Sequence, residues 1–447
     1  MCAAPATWWQ ATSTTSSHRR SCASSKACRP DRRRARPSRP SRPEMAPGPE
    51  QPPEAIAAGA ARPSLAILAA IAASGTLSMH IFVPALPAVA RQFDVHPATA
   101  QLTLTLYLIG IAAGQLLYGP LSDRFGRRPV LIVALAIFLI GTLLAGIAPR
   151  IEWLITARVL QALGACGGLV LGRAMVRDGV PPDQAARQIA FLVMAMTITP
   201  ALAPLVGGTI TDWFGWRAIF AFLGMAGLAV LVLTVTALPE TNRQRVTLSN
   251  PAAMVGVYGR LLALRQFRLL AVGGACMSTS MYAFFAASPF LFIEVLHRPT
   301  SEIGWYYIAM MLCVMLGSWI ASRVTVGARA GMILPVAAAL GSTGAAALLV
   351  IDLAGWLSVV SVMAAMCVFA LGVGLASPVA TARAIGVDPR AIGAASGLYG
   401  FLQMGFGALS TLLVGIWHAD SARPAACILL AASLVSQLAF SVAQRRT

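Results

Sequence analysis

Charge is what this sequence has least of. Asp, Glu, Lys and Arg make up only 11% of its 447 residues, while apolar types reach 57%; a soluble globular domain carries roughly a quarter charged residues. With a mean hydropathy of +0.73, the chain lacks the polar surface that a water-soluble fold of its size needs. Strand-type alternation is missing too, which leaves helices to satisfy the backbone in an apolar solvent. The eight cysteines include no CxxC pair. Cys2, Cys22 and Cys28 lie near the start, and Cys166, Cys276, Cys313, Cys367 and Cys427 stand singly in apolar stretches. Neither a zinc site nor a disulfide framework is indicated, and buried thiols are the better reading. There is no HExxH, no GxSxG and no phosphate-binding glycine loop, and the apolar stretches hold too few polar residues to assemble a catalytic group. An enzyme is not expected, and no cofactor or metal is implied.

What the chain does have is a series of bilayer-length apolar runs. They lie near 65–87, 101–120, 129–148, 152–172, 189–211, 217–238, 268–293, 303–323, 332–352, 357–381, 393–416 and 422–443. Each is roughly 20 residues, the length that crosses ~30 Å of hydrocarbon. The 39 Gly and 28 Pro suit such helices better than soluble ones. The expected fold is all-α: a polytopic membrane protein of twelve transmembrane helices in two six-helix halves. The domains expected are a first bundle at 64–238, a linker at 239–267, a second bundle at 268–443 and a short C-terminus at 444–447. The linker carries PETNRQR and a stretch ending in RLLALRQFR that reads as an interfacial helix. Two halves around a central cavity are a common transporter plan. They echo weakly: GPLSDRFGRRP ends span two, and GSWIASRVTVGAR ends span eight, with Gly317, Arg323, Gly327 and Arg329 where a decayed copy would leave them.

The formal charge is +18, a balance that can signal nucleic acid. Here the arginines outside the first residues fall in loops, as topology signals do. Loops after spans two, four, six, eight and ten, with the C-terminus, hold seventeen between Arg124 and Arg446; the alternate loops hold only Arg91, Arg150, Arg217, Arg298 and Arg423. Both termini are therefore expected in the cytoplasm, and no nucleic-acid partner is expected. Residues 1–63 form a basic tail, with eleven Lys/Arg against four Asp/Glu in 1–62. Its Arg, Ser, Pro and Ala cannot bury enough apolar area to order it. It has no signal-peptide core. Two readings stand: translation starts at Met45, or the tail is a basic arm on anionic lipid.

Three places carry mechanism. In GQLLYGPLSDRFGRRPV at 114–130, Gly119 and Gly126 allow tight turns and close helix approach. Asp123 stands among Arg124, Arg127 and Arg128, where it can pair with a cation or a positive helix end and act as a conformational latch. Simple anchoring by the arginines is the plainer alternative. Arg158 lies inside span four, where a guanidinium costs about 2.5–3.5 kcal/mol on insertion scales. It shares a face with Gln161 and either looks into the bundle or snorkels outward. Pro200 and Pro204, with Gly207 and Gly208, bend span five and allow close contact with a facing helix, or mark a plain kink.

The segment Gly119 to Arg128 resembles the signature loop of the major facilitator superfamily, and the likeness extends over residues 64–443. A narrower resemblance is to the bicyclomycin-resistance (Bcr/CflA) group of drug:proton antiporters. It rests on FVPALP at 82–87, RVLQALGACGG at 158–168, VRD at 176–178, PALAPLVGG at 200–208 and FGWRAIF at 214–220, in order. The resemblance implies that Arg158 faces the cavity and joins in proton coupling. It also implies that the span-five motif seals one side and favours export. Two positions depart from the pattern: Ala162 replaces a usual glycine, and His80 stands where the group places an aspartate.

No carboxylate lies deep in any span; Asp123, Asp178, Asp212, Glu294 and Asp352 all fall at or near ends. Imidazole titrates near neutrality, so His80 either takes the coupling role or is simply packed. The function expected is a bacterial inner-membrane exporter of small amphipathic molecules, working by alternating access as a monomer in exchange for protons. Its substrate pathway is His80, Tyr107, Arg158, Gln161 and Tyr282 with Met and Phe side chains. An uptake carrier or uncoupled facilitator for a metabolite is the alternative. Cysteines introduced at the two extremities should both be labelled from the cytoplasmic face; labelling from opposite faces would exclude an even number of spans.

Overall fold

A computed structural model describes residues 64–179, 182–242, 251–324, 332–389, 391–417 and 421–444. The expectations placed on the tail 1–63, and on Arg243, Arg245, Gly327, Arg329, Arg390, Arg445 and Arg446, lie outside the described residues, as does the side chain of Arg187. Among the described residues all regular structure is helical, and twelve helices are long and apolar enough to cross a membrane. These spans one to twelve are Leu65–Phe93, Pro97–Phe125, Arg127–Gly146, Ile151–Asp178, Phe191–Phe214, Arg217–Ala237, Arg265–Val295, Thr300–Val324, Ile333–Leu353, Val359–Ile385, Ile392–Ile416 and Arg423–Gln444. Several outrun their apolar segments. Apolarity sets only the hydrocarbon crossing, whereas the backbone ladder continues into polar turns, as at Ser122–Phe125 of span two.

Span one is not regular throughout. Its first helix ends at His80, and a short 3-10 turn at Val83–Ala85 leads into Leu86–Phe93. Pro84 and Pro87 have no N–H to donate and disfavour a helical residue before them, so the break falls where the ladder cannot run. Span five carries Pro200 and Pro204 inside one continuous helix, Pro182–Phe214. The linker contains a helix at Pro251–Ala263, and span seven starts at Arg265, so RLLALRQFR is divided at Leu264 rather than forming one helix. Val255, Leu262 and Leu264 are exposed there.

Glycine sets the closest crossings, because hydrocarbon-facing helices attract one another mainly through packing. On span three, Gly141 leaves room for the backbone of Gln161 and the carbonyl of Ala157 on span four; on span four, Gly164 leaves room for the backbone of Ala134 and Phe138. The second half repeats this pair. Gly344 of span nine faces the backbone of Ala365 and Phe369, and a Cβ on Gly372 of span ten would come within 2.6 Å of the Ala337 carbonyl oxygen. The same register equates Gly114, which abuts Cys166, with Gly317, which abuts Leu371 and Gly374. Gly317 thus matches Gly114 and not Gly119, so the repeat lies in the helix crossings and not in the loop motif.

The halves meet along spans two with eleven and five with eight. Many of the bonds between them fall toward the end away from the Arg-rich loops. Thr105 and Thr411 share a hydrogen bond at 2.8 Å, Gln101 donates to the Ala286 carbonyl, and Asp212 accepts from the Ser301 N–H at 3.0 Å. Gly164→Val should cost about 1–3 kcal/mol of stability through overpacking. Gly119→Ala, with nothing within 4 Å of the new methyl, should leave it unchanged; thermal unfolding in detergent measures both.

Candidate functional site

Span four threads the first half, and its buried face presents Arg158 and Gln161, both with 0% of their surface exposed. Outward snorkelling is therefore not what Arg158 does. Its Nη1 donates to the Ser78 carbonyl at 3.0 Å and to Gln161 Oε1 at 2.5 Å. Gln161 in turn donates from Nε2 to Thr142 Oγ1 at 2.9 Å. The guanidinium lies over the Tyr107 ring, 4.1 Å from its centroid, and near the Phe82 ring at 4.9 Å. Such faces attract a cation most strongly where water is absent. The Tyr107 hydroxyl pairs with Ser78 Oγ and reaches the Gly75 carbonyl at 3.2 Å. Residues from spans one, two, three and four thus close on one cation, and among the described residues no carboxylate forms an ion pair with it.

The fold does not require this polarity. In the repeated register, Met366 and Phe369 occupy the positions of Arg158 and Gln161, both fully buried. The same crossing is built there from apolar side chains alone.

His80 is buried on span one and donates Nδ1–H to the Thr76 carbonyl at 2.8 Å, which leaves Nε2 to take a second proton. Its ring meets the second half: Tyr282 at 6.2 Å between centroids, and Phe285 edge-on at 5.6 Å. Phe285 packs on Tyr307 at 5.1 Å, and Tyr307 bonds to Ser288. The span-five residues lie beside this seam. Gly207 is pressed against the Ile81 carbonyl, next to His80, and a Cβ on Gly208 would lie 2.7 Å from the Thr300 carbonyl of span eight. Pro200 and Pro204 lie on the same helix, toward the Arg-rich end from the two glycines. A cleft of about 380 Å³ at the Arg-poor end, lined by His96, Gln101, Glu294 and Trp417 among others, shares no residue with the cluster.

The loop between spans two and three is a separate assembly. Gly126 has φ +100°, a conformation open to glycine, and the chain turns there. Gly119 lies mid-helix with open space beside it, so it makes no turn, contrary to the sequence expectation. Arg127 is buried and pairs with Asp123 at 2.7 Å and Asp178 at 3.0 Å. Arg124 is exposed and lies over the ring of Phe125 at 4.9 Å. Glu240, just past span six, accepts the backbone N–H groups of Arg127 at 2.9 Å and Arg128 at 3.1 Å. Asn242 donates to the Asp123 carbonyl at 3.1 Å, and Arg128 to the Val235 carbonyl at 2.6 Å. Asp123 finds its cation within its own loop.

Comparison with known proteins bears on this arrangement directly. The family model described as Major Facilitator Superfamily matches residues 67–440. The chain belongs to the major facilitator superfamily. Multidrug resistance protein D of Escherichia coli strain K12 is similar at 30% identity, over 78% of this chain and 87% of that protein. A bicyclomycin resistance protein homolog of Haemophilus influenzae is similar at 27%, over 80% of this chain and 90% of its own. The narrower likeness to the bicyclomycin-resistance group thus holds. Among solved structures, a D-xylose–proton symporter shares the fold with a TM-score of 0.65 at 16% identity, covering 83% of this chain and 96% of that one. This major facilitator protein is therefore a multi-pass membrane transporter, not an enzyme.

Sequence reasoning missed Ser78, Phe82, Thr142, Phe285 and Tyr307, and overlooked Glu240 within PETNRQR. A carboxylate directly after a span, facing an Arg-rich loop, was the available signal for Glu240; a single Thr in span three offers none. Glu240→Ala removes the acceptor of three backbone donors, the N–H groups of Arg127, Arg128 and Asn242, and should lower stability by about 1–3 kcal/mol. Gly126→Ala adds backbone strain and a contact 2.6 Å from Glu240 Oε2, so both variants should slow transport while leaving ligand affinity near wild type, measured by flux and by equilibrium binding.

Proposed function

We propose that this protein exports small amphipathic molecules across the bacterial inner membrane by alternating access, in exchange for protons. The observation that carries the reading is the buried Arg158–Gln161–Thr142 network, which the equivalent crossing of the second half replaces with apolar side chains. A buried polar network that packing does not demand marks a functional site within a membrane. The relatives named for drug resistance support export in particular.

The substrate pathway runs between this network and the seam of His80 with Tyr282, and adaptable aromatic and Met side chains suit varied ligands. His80 is the titrating group, since no carboxylate is deep in the spans and its ring lies where the halves part. The bonds of Thr105 with Thr411 and Asp212 with Ser301, with the tight approach of Gly208 to Thr300, close the Arg-poor face in this conformer. Rocking of bundle 64–238 against bundle 268–443 about the linker 239–267 would break them and open that face. The loop at Asp123–Arg128 serves as the latch. Both termini lie in the cytoplasm, following the arginine asymmetry, and the monomer suffices.

Expression in an efflux-deficient host should raise tolerance to several amphipathic toxins, and Arg158→Ala should abolish the gain. In vesicles, His80→Ala should remove the response to an imposed pH gradient. Tolerance no better than the empty vector across a broad panel would refute export, and pH-driven flux intact in His80→Ala would refute coupling through this residue.

A further inference from the structure

The guanidinium of Arg158 is satisfied on one side only. Tyr107 and Phe82 lie against its faces, and Nη1 serves two acceptors, Ser78 O and Gln161 Oε1. Nε and Nη2 are buried and have no protein acceptor. These two N–H groups point the same way from the planar group and form its side-on fork, the edge that takes a carboxylate through two parallel hydrogen bonds. A buried charge with no partner is costly, and an incoming anion supplies what the protein does not. No Asp or Glu of the described spans does so.

The surroundings also describe the rest of the ligand. Tyr107, which lies against Arg158, bonds to Ser78 on span one, and two residues further on the ring of His80 meets Tyr282 at 6.2 Å between centroids. Behind Tyr282 stand Phe285 and Tyr307, with ring centroids 5.8 Å and 5.1 Å apart along the row. An anionic head at the fork would therefore have an aromatic wall beside it, contributed by the other half of the molecule. Such a wall favours a flat, apolar body.

We propose that Arg158 is a substrate-binding residue whose Nε/Nη2 fork takes the carboxylate of an aromatic monocarboxylic acid, so that organic acids of this class are exported substrates. This rests on the export reading and narrows it to a substrate class that needs no acidic residue in the spans. The charge of the ligand replaces the missing side-chain carboxylate.

Purified protein in detergent can be tested by equilibrium binding with matched pairs: benzoate and benzamide, 2-naphthoate and 2-naphthamide, indole-3-acetate and its amide. The wild type should prefer at least one carboxylate over its amide by on the order of tenfold, the worth of charge-assisted bonds. Arg158→Gln should abolish the preference, and Arg158→Lys, which keeps the charge but not the fork, should reduce it to a few-fold; elution as a single monodisperse species confirms that each variant is folded. Equal binding within every pair, failure of every carboxylate to bind, or a preference unchanged in Arg158→Gln overturns the proposal. Competition by chloride at the concentrations effective for naphthoate also overturns it, in favour of an inorganic-anion site. Flux of the same compounds in vesicles separates the two readings. A carboxylate preference without flux keeps the site and removes export, and flux of neutral compounds without a carboxylate preference does the reverse.

Discussion

Spans three and four touch backbone to backbone at Gly141 and Gly164, and the position of Arg158 depends on that contact. A side chain at either glycine would push the helices apart by the thickness of a methyl group, and Gln161 would lose Thr142. Without Gln161 Oε1, Nη1 would keep only the Ser78 carbonyl. The cost of holding an ion in hydrocarbon is thus met through helix spacing, which two residues without side chains control. The second half uses the same spacing at Gly344 and Gly372 and places nothing ionic there. Packing and chemistry are separable in this fold, and the comparison of its halves separates them.

Among the described residues the cation is also held without a counter-ion, by ring faces, the Ser78 carbonyl and the Gln161 amide oxygen. A carboxylate partner would neutralise the site permanently and compete with a ligand for the same bonds. Aromatic faces stabilise the charge without using up the N–H groups. His80 stands at the seam, where its Nδ1–H is committed to the Thr76 carbonyl.

Much of this was legible from residues alone. Twelve spans, the helical class and the family follow from run length and motif order, because hydrocarbon admits few solutions for a backbone. Arg158 and Gln161 declared themselves as polar types spaced one turn apart within an apolar run. Gly126 was recognisable in its loop, whereas Gly119 was misplaced, since the helix simply continues through Pro120 and the loop turns later. The partners that complete the site were not legible. Ser78 contributes a main-chain carbonyl, which any residue has, and Phe82 and Phe285 look like ordinary lipid-facing aromatics until the helices are assembled. The echo between halves was sought in a loop, but it resides in crossing glycines that have no motif around them.

The clamp on the loop after span two has a consequence for how the protein is made. Glu240, which holds the N–H groups of Arg127 and Arg128, emerges from the ribosome only after four further spans have been synthesised. Asp123 and Asp178, the carboxylate partners of the Arg127 side chain beside this turn, both precede Glu240 in the chain. Closing this turn therefore requires span six, so the loop between spans two and three can take its final form only once the last helix of its own half is in place.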